Sequence, residues 1–401
     1  MTITPRAGAV VLALGATLGV GVLAGFAPAA AAAGPWFPVA LVLAAVTALC
    51  CAFSTADQHR AYPDAPGGYA YIRNQLGPWP ARIGASAHLV GRAGVAAALA
   101  GAFGAYVVPD HRVAAAVGLL VVTAALGASG FRWRTGPSVA AAAVVLGTLA
   151  LVVLVCFAVA PPANPVGTTG GPGFEGLMSA GSLLFVLFTG FERITAPLPG
   201  DRVFSDRVLR FAVPAVVVVV LVVSVAVGAA LLHQLGPARL ALSPAPLRDA
   251  LVAADGRALL PVLAVGATVA AVSSLFFVLG SARRTLVGLV ETGDLPPVRA
   301  SWPLEVVGVA SAVLGVVALT PATALAVGAC GTAFYYGFTN ASARVLLQED
   351  RTWPMRTACL GLGLSVLLAM SAPTEALFVT GAALALGTGA IALGRVRQAV
   401  R

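Results

Sequence analysis

Apolar runs long enough to cross a bilayer recur along the whole chain, separated by short polar or Pro/Gly-rich stretches. A helix rises ~1.5 Å per residue, so ~20 mostly apolar residues span the ~30 Å hydrocarbon core. The runs predict twelve helices, at 7–33, 36–56, 80–108, 113–129, 137–160, 176–196, 211–235, 258–290, 303–319, 322–346, 357–372 and 374–394. They lack the alternation of apolar and polar positions that a lipid-facing barrel strand requires. Even Val216–Val223, β-prone in water, is an ordinary helical span in lipid. The expected fold is an all-α polytopic membrane protein. Its first run continues past signal-peptide length without a cleavage pattern, so a retained helix is expected there.

Composition agrees with this class: 59% of the 401 residues are hydrophobic and 10% charged, against about 25% charged in soluble domains. The net charge of +9 would suit a nucleic-acid partner, but its distribution argues otherwise. All 24 basic residues are Arg. Arg112, Arg239, Arg248 and Arg257 fall in loops on one side and Arg92 lies inside a span; every other Arg falls in loops on the opposite side or at the termini. Because basic loops stay cytoplasmic, an inner (plasma) membrane protein with both termini in the cytoplasm is expected, and no nucleic-acid role. Cys50, Cys51, Cys156, Cys330 and Cys359 sit in apolar runs as packing residues, and the four His form no metal motif. A membrane enzyme would need a nucleophile–base pair or a metal cluster. No HExxH, GxSxG or clustered Asp pattern occurs, so neither an enzyme nor a cofactor is expected.

Two spans differ from the rest. The first contains Gly15-Ala16-Thr17-Leu18-Gly19-Val20-Gly21, with Gly25 beyond, and the sixth contains Phe188-Thr189-Gly190-Phe191-Glu192. Interrupted helices at matching places in two halves point to a transporter site. An unwound turn frees backbone N–H and C=O groups, and half-helix ends add partial charges of about half a unit. Such groups can hold a carboxylate and an ammonium near the midplane. Glycine also serves simply as a packing residue in membrane helices. On the transporter reading, residues 1–160 form one repeat of five helices, 161–346 an inverted second repeat, and 347–401 two further helices and a basic tail.

Four segments together give the chain a family resemblance over essentially its whole length. Gly19-Val20-Gly21, Tyr62-Pro63 through Tyr71 to Gly77, Phe188–Glu192, and Ser273-Ser274 through Arg284 to Gly293-Asp294-Leu295-Pro296 follow one another in order. In that order they resemble the motifs of the amino acid–polyamine–organocation transporter superfamily. The resemblance implies a five-plus-five inverted-repeat (LeuT-like) core with two extra helices, and an amino acid substrate. The chain also departs from the pattern. Val20 stands where relatives carry Ser or Thr, Phe276 replaces an Asn, Arg283-Arg284 replaces Ser-Arg, and the acidic stretch after Glu192 is reduced.

The candidate substrate-binding residues are Thr17, Gly19, Val20, Gly21, Phe188, Thr189, Gly190, Phe191 and Phe276. Arg92 lies about ten residues inside the third span, with His88 one turn away on the same face. A lone Arg at that depth costs roughly 2.5–3.5 kcal/mol by insertion scales, so it must face a cavity or a partner. It would serve a substrate carboxylate or coupling, or be a fixed charge paired with backbone carbonyls or Glu192. Glu192 would relay protons or anchor a gate, or pair at the interface with Arg193 or Arg202. Tyr336 and Asn340 share a helix face, as a gate or as packing. Ser273 and Ser274 would join first-helix carbonyls in a sodium cage, as in sodium-coupled relatives, or pack helices. The expected function is alternating-access transport of a neutral or hydrophobic amino acid or related solute, coupled to protons or run as exchange. A sodium symporter and a non-transporting sensor on the same scaffold are the alternatives.

Overall fold

The computed structural model describes residues 4–63, 68–131, 135–161, 173–196, 203–298 and 302–399. Thr4 accepts a hydrogen bond from the Ala7 amide and Pro5 occupies the first turn, which starts α1 (Pro5–Thr17). After the turn at Leu18 and Gly19 come α2 (Val20–Ala24) and, past Gly25, α3 (Phe26–Ala33). There follow α4 (Phe37–Ala61), α5 (Gly68–Leu76), α6 (Pro78–Val107), α7 (Arg112–Ala128) and α8 (Thr135–Ala158). Helix α9 (Phe174–Phe185) tightens into a 3-10 stretch, Val186–Phe191, before α10 (Glu192–Thr195). The chain ends with α11 (Asp206–Leu242), α12 (Pro246–Ala253), α13 (Leu260–Glu291), α14 (Trp302–Ala318), α15 (Pro321–Val345), α16 (Met355–Met370) and α17 (Thr374–Ala399).

Among the described residues no strand occurs, and nine helices are long and apolar enough to cross a membrane. Helices α14 and α16 are apolar but shorter. Helix α15, with Thr, Tyr and Asn along it, is surrounded by α4, α5, α6, α9, α16 and α17. A helix in that position has other helices rather than lipid to satisfy. All twelve predicted runs overlie helix, and the chain is a polytopic membrane protein.

One expectation needs correction. By composition, the Pro and Gly of the segment after α4 would break any helix and leave Tyr69-Ala70-Tyr71-Ile72 for the membrane interface. Instead α5 begins at Gly68, and Tyr69, Tyr71 and Ile72 are buried against α6, α13 and α15. Pro and Gly set where this helix starts rather than abolishing it. The seventh run ends where expected: α11 breaks at Gly236 (φ 67°, ψ 166°), followed by Pro237, and a further short helical stretch runs on to Leu242. Only glycine adopts that backbone without strain, so the run turns at the predicted point but stays helical beyond it.

The Arg-rich loops meet at one end of the bundle. Arg60 reaches Asp206 and Thr352, and Asp57 accepts from the amides of Thr352 and Trp353. At the centre, α6 and α15 touch backbone to backbone. A Cβ on Gly94 would lie 2.5 Å from the Gly328 amide nitrogen, and one on Gly331 would lie 2.8 Å from that of Gly91. Small residues on both helices are what allow this approach. Overpacking such a contact costs ~1–3 kcal/mol, so Gly328→Val is expected to lower the thermal midpoint in detergent by several degrees. Gly118→Ala, where a methyl meets nothing within 4 Å, is expected to leave it unchanged.

Candidate functional site

The α6–α15 contact brings the polar groups of both helices onto one point, the carboxylate of Glu192 at the start of α10. Arg92 Nη2 of α6 donates to Glu192 Oε2 at 2.6 Å, and the two side chains are 2% and 3% exposed. Tyr336 of α15 donates to Oε1 at 2.5 Å, and Ser281 of α13 lies 3.1 Å from Oε2. His88, one turn before Arg92, has its Nε2 3.3 Å from Arg92 Nε and 2.9 Å from Ser281 Oγ. The Phe277 ring covers the Arg92 guanidinium at 5.5 Å. Glu192 therefore pairs with Arg92 rather than standing at an interface with Arg193; Arg202 lies outside the described residues. Charge-assisted bonds to both carboxylate oxygens offset much of what burial of the ions costs.

Both interrupted spans are irregular where expected, but they close on each other rather than enclosing a hollow. The helix breaks after Thr17 and re-forms at Val20, and the sixth span is 3-10 from Val186 to Phe191. A 3-10 stretch within a longer helix commonly marks a hinge. A methyl on Gly190 would collide with Thr17, one on Gly21 with Leu187, and one on Gly19 with Ser274 and the Ala270 carbonyl. Thr17 and Thr189 spend their hydroxyls on Ala13 O and Val186 O. Phe188 and Phe191 are buried, the latter against the Tyr336 ring at 5.6 Å. Of Val20, only the backbone is described.

Three further candidates separate in space. Phe276 is not part of this lining: it packs on Phe131, and its neighbour Phe277 faces inward to Arg92 and Arg284. The expected inward face of α13 was off by one residue, about 100° around the helix. Asn340 does not join Tyr336; it contacts Ser54, Cys51 and Ser365 and ties α15 to α4 and α16. Ser273 bonds to Ala270 O, whereas Ser274, buried against Gly19, has no hydrogen-bond partner among the described residues. Ser281 and Phe277 were missed from sequence. Ser281 lies two helical turns beyond Ser274, a spacing that places both on one face of α13.

A second carboxylate node closes the Arg-rich end. Asp294, fully buried after α13, accepts from Tyr69 and from Arg73 Nη1 at 2.5 Å on Oδ2, and from Arg82 Nη2 at 2.9 Å on Oδ1. The segment containing Tyr69 and that containing Asp294, distant in sequence, thus meet directly. At the other end lies a cavity of about 720 Å³. Its wall is mostly Ala, Leu and Pro, with Arg112, Ser243, Thr320 and Glu375 among its polar residues, and it reaches inward to Leu23 and Ala24 of the broken first span. Among the described residues, no group of three or more His, Cys, Asp or Glu is arranged to hold a metal ion.

A bundle of apolar helices with two interrupted spans in contact, buried carboxylates bonded toward one end and a cavity at the other, is the architecture of a membrane transporter, and comparison with known proteins agrees. Proteins named uncharacterized transporters from Mycobacterium tuberculosis and Mycobacterium bovis are each 33% identical over 401 residues, covering 97% of this chain and 90% of theirs. The chain belongs to this transporter family. No protein-family profile matches it. Crystal structures of variants of the manganese transporter of Eremococcus coleocola superpose with TM-scores of 0.62–0.63 at 12% identity, over 98% of this chain and 95% of that one. That likeness shows a shared fold.

Burial works against the charge of Asp294, but the bonds from Tyr69, Arg82 and Arg73 outweigh it and hold the carboxyl below its ordinary value. A lowered folded-state pKa contributes stability above the unfolded value, ~3.9, and loses it as pH falls through the folded value. The thermal midpoint of the wild type should therefore show no loss from this node between pH 7 and 5. Asp294→Asn should lie below it at both pH values and approach it only in strongly acid solution. Breaking a buried pair costs about 3–5 kcal/mol, less here because Arg73 is 22% exposed.

Proposed function

We propose that this chain is a secondary transporter of neutral or hydrophobic amino acids, or related small organic solutes, working by alternating access. The observation that carries this reading is the asymmetry of the bundle. The cavity opens at the Arg-poor end and stops at the broken first helix, while toward the Arg-rich end Glu192 joins α10 to α6 and α13, and Asp294 joins α5 to α6. With basic loops inside, this is an outward-open arrangement in the inner membrane with both termini cytoplasmic. The superfamily resemblance and the direct contact of the first and sixth spans support the five-plus-five inverted repeat. On that frame α1, α2, α4, α9, α10 and α11 would rock against α6, α7, α13 and α14. Small apolar walls suit an uncharged side chain, and peptide dipoles at the two breaks suit an α-carboxylate and an α-ammonium.

The fold is shared with a manganese transporter, so a divalent cation is the natural competing cargo. Such an ion takes six or more oxygen ligands, carboxylates among them. At the two breaks the side chains offer the Thr17, Thr189 and Ser274 hydroxyls, and the nearby carboxylate of Glu192 is already bonded to Arg92 and Tyr336. This donor set favours the organic solute. Proton coupling or exchange is preferred because two ionisable side chains, Glu192 and His88, lie on either side of Ser281 within the apolar bundle. Sodium coupling is the second reading, favoured by the unpartnered Ser274 hydroxyl beside Gly19.

Uptake into proteoliposomes of a labelled amino acid panel, with Mn2+ as a parallel arm and proton or sodium gradients imposed separately, tests the reading. Saturable, proton-stimulated uptake of a neutral amino acid is expected, lost in Gly190→Leu, whose side chain would collide with Thr17. Saturable Mn2+ uptake without amino acid flux would contradict it, and no flux of any kind would favour a sensor.

A further inference from the structure

Ser281 and His88 make contacts whose direction depends on which of the neighbouring groups carries a proton. Ser281 has one hydroxyl proton, and its Oγ lies 3.1 Å from Glu192 Oε2 and 2.9 Å from His88 Nε2. Arg92 Nε, always a donor, lies 3.3 Å from the same His88 nitrogen. If Ser281 donates to Glu192, then His88 Nε2 carries the proton that Ser281 accepts, and Arg92 Nε faces another donor. If Ser281 donates to His88 Nε2, that nitrogen also accepts from Arg92, and Glu192 Oε2 carries the proton facing Ser281. The cluster thus has two hydrogen-bonded arrangements, joined by proton movement along Glu192–Ser281–His88.

We infer that Ser281 is the relay through which a proton passes between Glu192 and His88 during transport, an inference that rests on the proton-coupled reading. The step balances. The Glu192 O–H bond breaks as Ser281 Oγ takes that proton, while the Ser281 hydroxyl proton bonds to His88 Nε2. The proton is then held on the imidazole, cationic beside Arg92, and Glu192 is left as the carboxylate that Arg92 and Tyr336 bond. The groups facing His88 are Arg92 on its own helix, Glu192 on α10, Ser281 and Arg284 on α13, and the Tyr335 ring on α15 at 4.2 Å. Ser281 needs no charge for this role. It needs only a hydroxyl within reach of both neighbours, and its 2% exposure keeps water from substituting.

The test uses wild type, Ser281→Ala and Ser281→Thr in proteoliposomes with a mixture of labelled leucine, phenylalanine and alanine. Two rates are read: uptake driven by an acid-outside gradient, and exchange against internal substrate at equal pH. Positioned proton transfer contributes ~10²–10⁴-fold, so Ser281→Ala is expected to lose gradient-driven uptake by at least about tenfold. Its exchange should stay within about twofold of wild type, which also shows that it folds, and Ser281→Thr should restore the gradient response. Gradient-driven uptake by Ser281→Ala equal to wild type would overturn the relay alone, as would equal loss of both rates in Ser281→Ala and Ser281→Thr. A wild type indifferent to the gradient, or without flux, would overturn the proton-coupled reading together with the relay.

Discussion

A carboxylate inside an apolar bundle must find donors, and the helices around Glu192 are arranged to supply them. Its partners come from three helices, Arg92 on α6, Ser281 on α13 and Tyr336 on α15. Burial of an ion costs several kcal/mol unless paired and hydrogen-bonded, and removal of one partner leaves the other charge stranded. The four-residue helix that starts at Glu192 is therefore fixed by electrostatics more than by its own length. The arrangement in turn depends on the close contact of α6 with α15 at Gly94 and Gly328, which brings Arg92 and Tyr336 within reach of one carboxylate.

The same logic repeats nearer the Arg-rich surface. Asp294 joins α5 to the start of α6 and to the turn after α13, while Glu192 is the carboxylate that ties together segments that the proposed cycle must separate, α10 against α6 and α13. At the opposite end, among the described residues, the cavity has no such node, and its lining is dominated by small apolar side chains. Between the two ends, the broken first and sixth spans meet through glycine and threonine, Gly190 on Thr17, with no space for a solute. A substrate bound there would have to part them. On the proposed cycle, parting the breaks and loosening Glu192 are movements of the same segment, because only Phe191 lies between Gly190 and the carboxylate.

Local features were legible in the sequence, and long-range ones were not. Helical runs are readable because a bilayer demands ~20 apolar residues whatever they pack against. The His88–Arg92 neighbourhood follows from a spacing of four, and the interruptions near Gly19 and Gly190 follow from composition. That Arg92 pairs with Glu192 stood as one alternative among several, since residues so far apart in sequence are joined only by helix packing. Phe276 was placed inward and Phe277 overlooked because an aromatic pair on a helix leaves its rotation open within one residue. Helix α5 was hidden by the Pro and Gly before it: its burial against α13 and α15 outweighs the weak local preference of a short, Gly-started segment. Tyr336 and Asn340 share a helix face, yet one turn apart they meet different neighbours, Glu192 of α10 at Tyr336 and α4 and α16 at Asn340.

The central claim is that the Glu192 node holds the Arg-rich end closed. It is tested most directly by pulsed electron–electron resonance between spin labels at Val203 and Val298, both solvent-exposed near that end, with the native cysteines replaced. The account predicts one short distance distribution with Glu192 intact and, in Glu192→Gln, a second and longer population. An unchanged single distribution in a folded Glu192→Gln protein would contradict it.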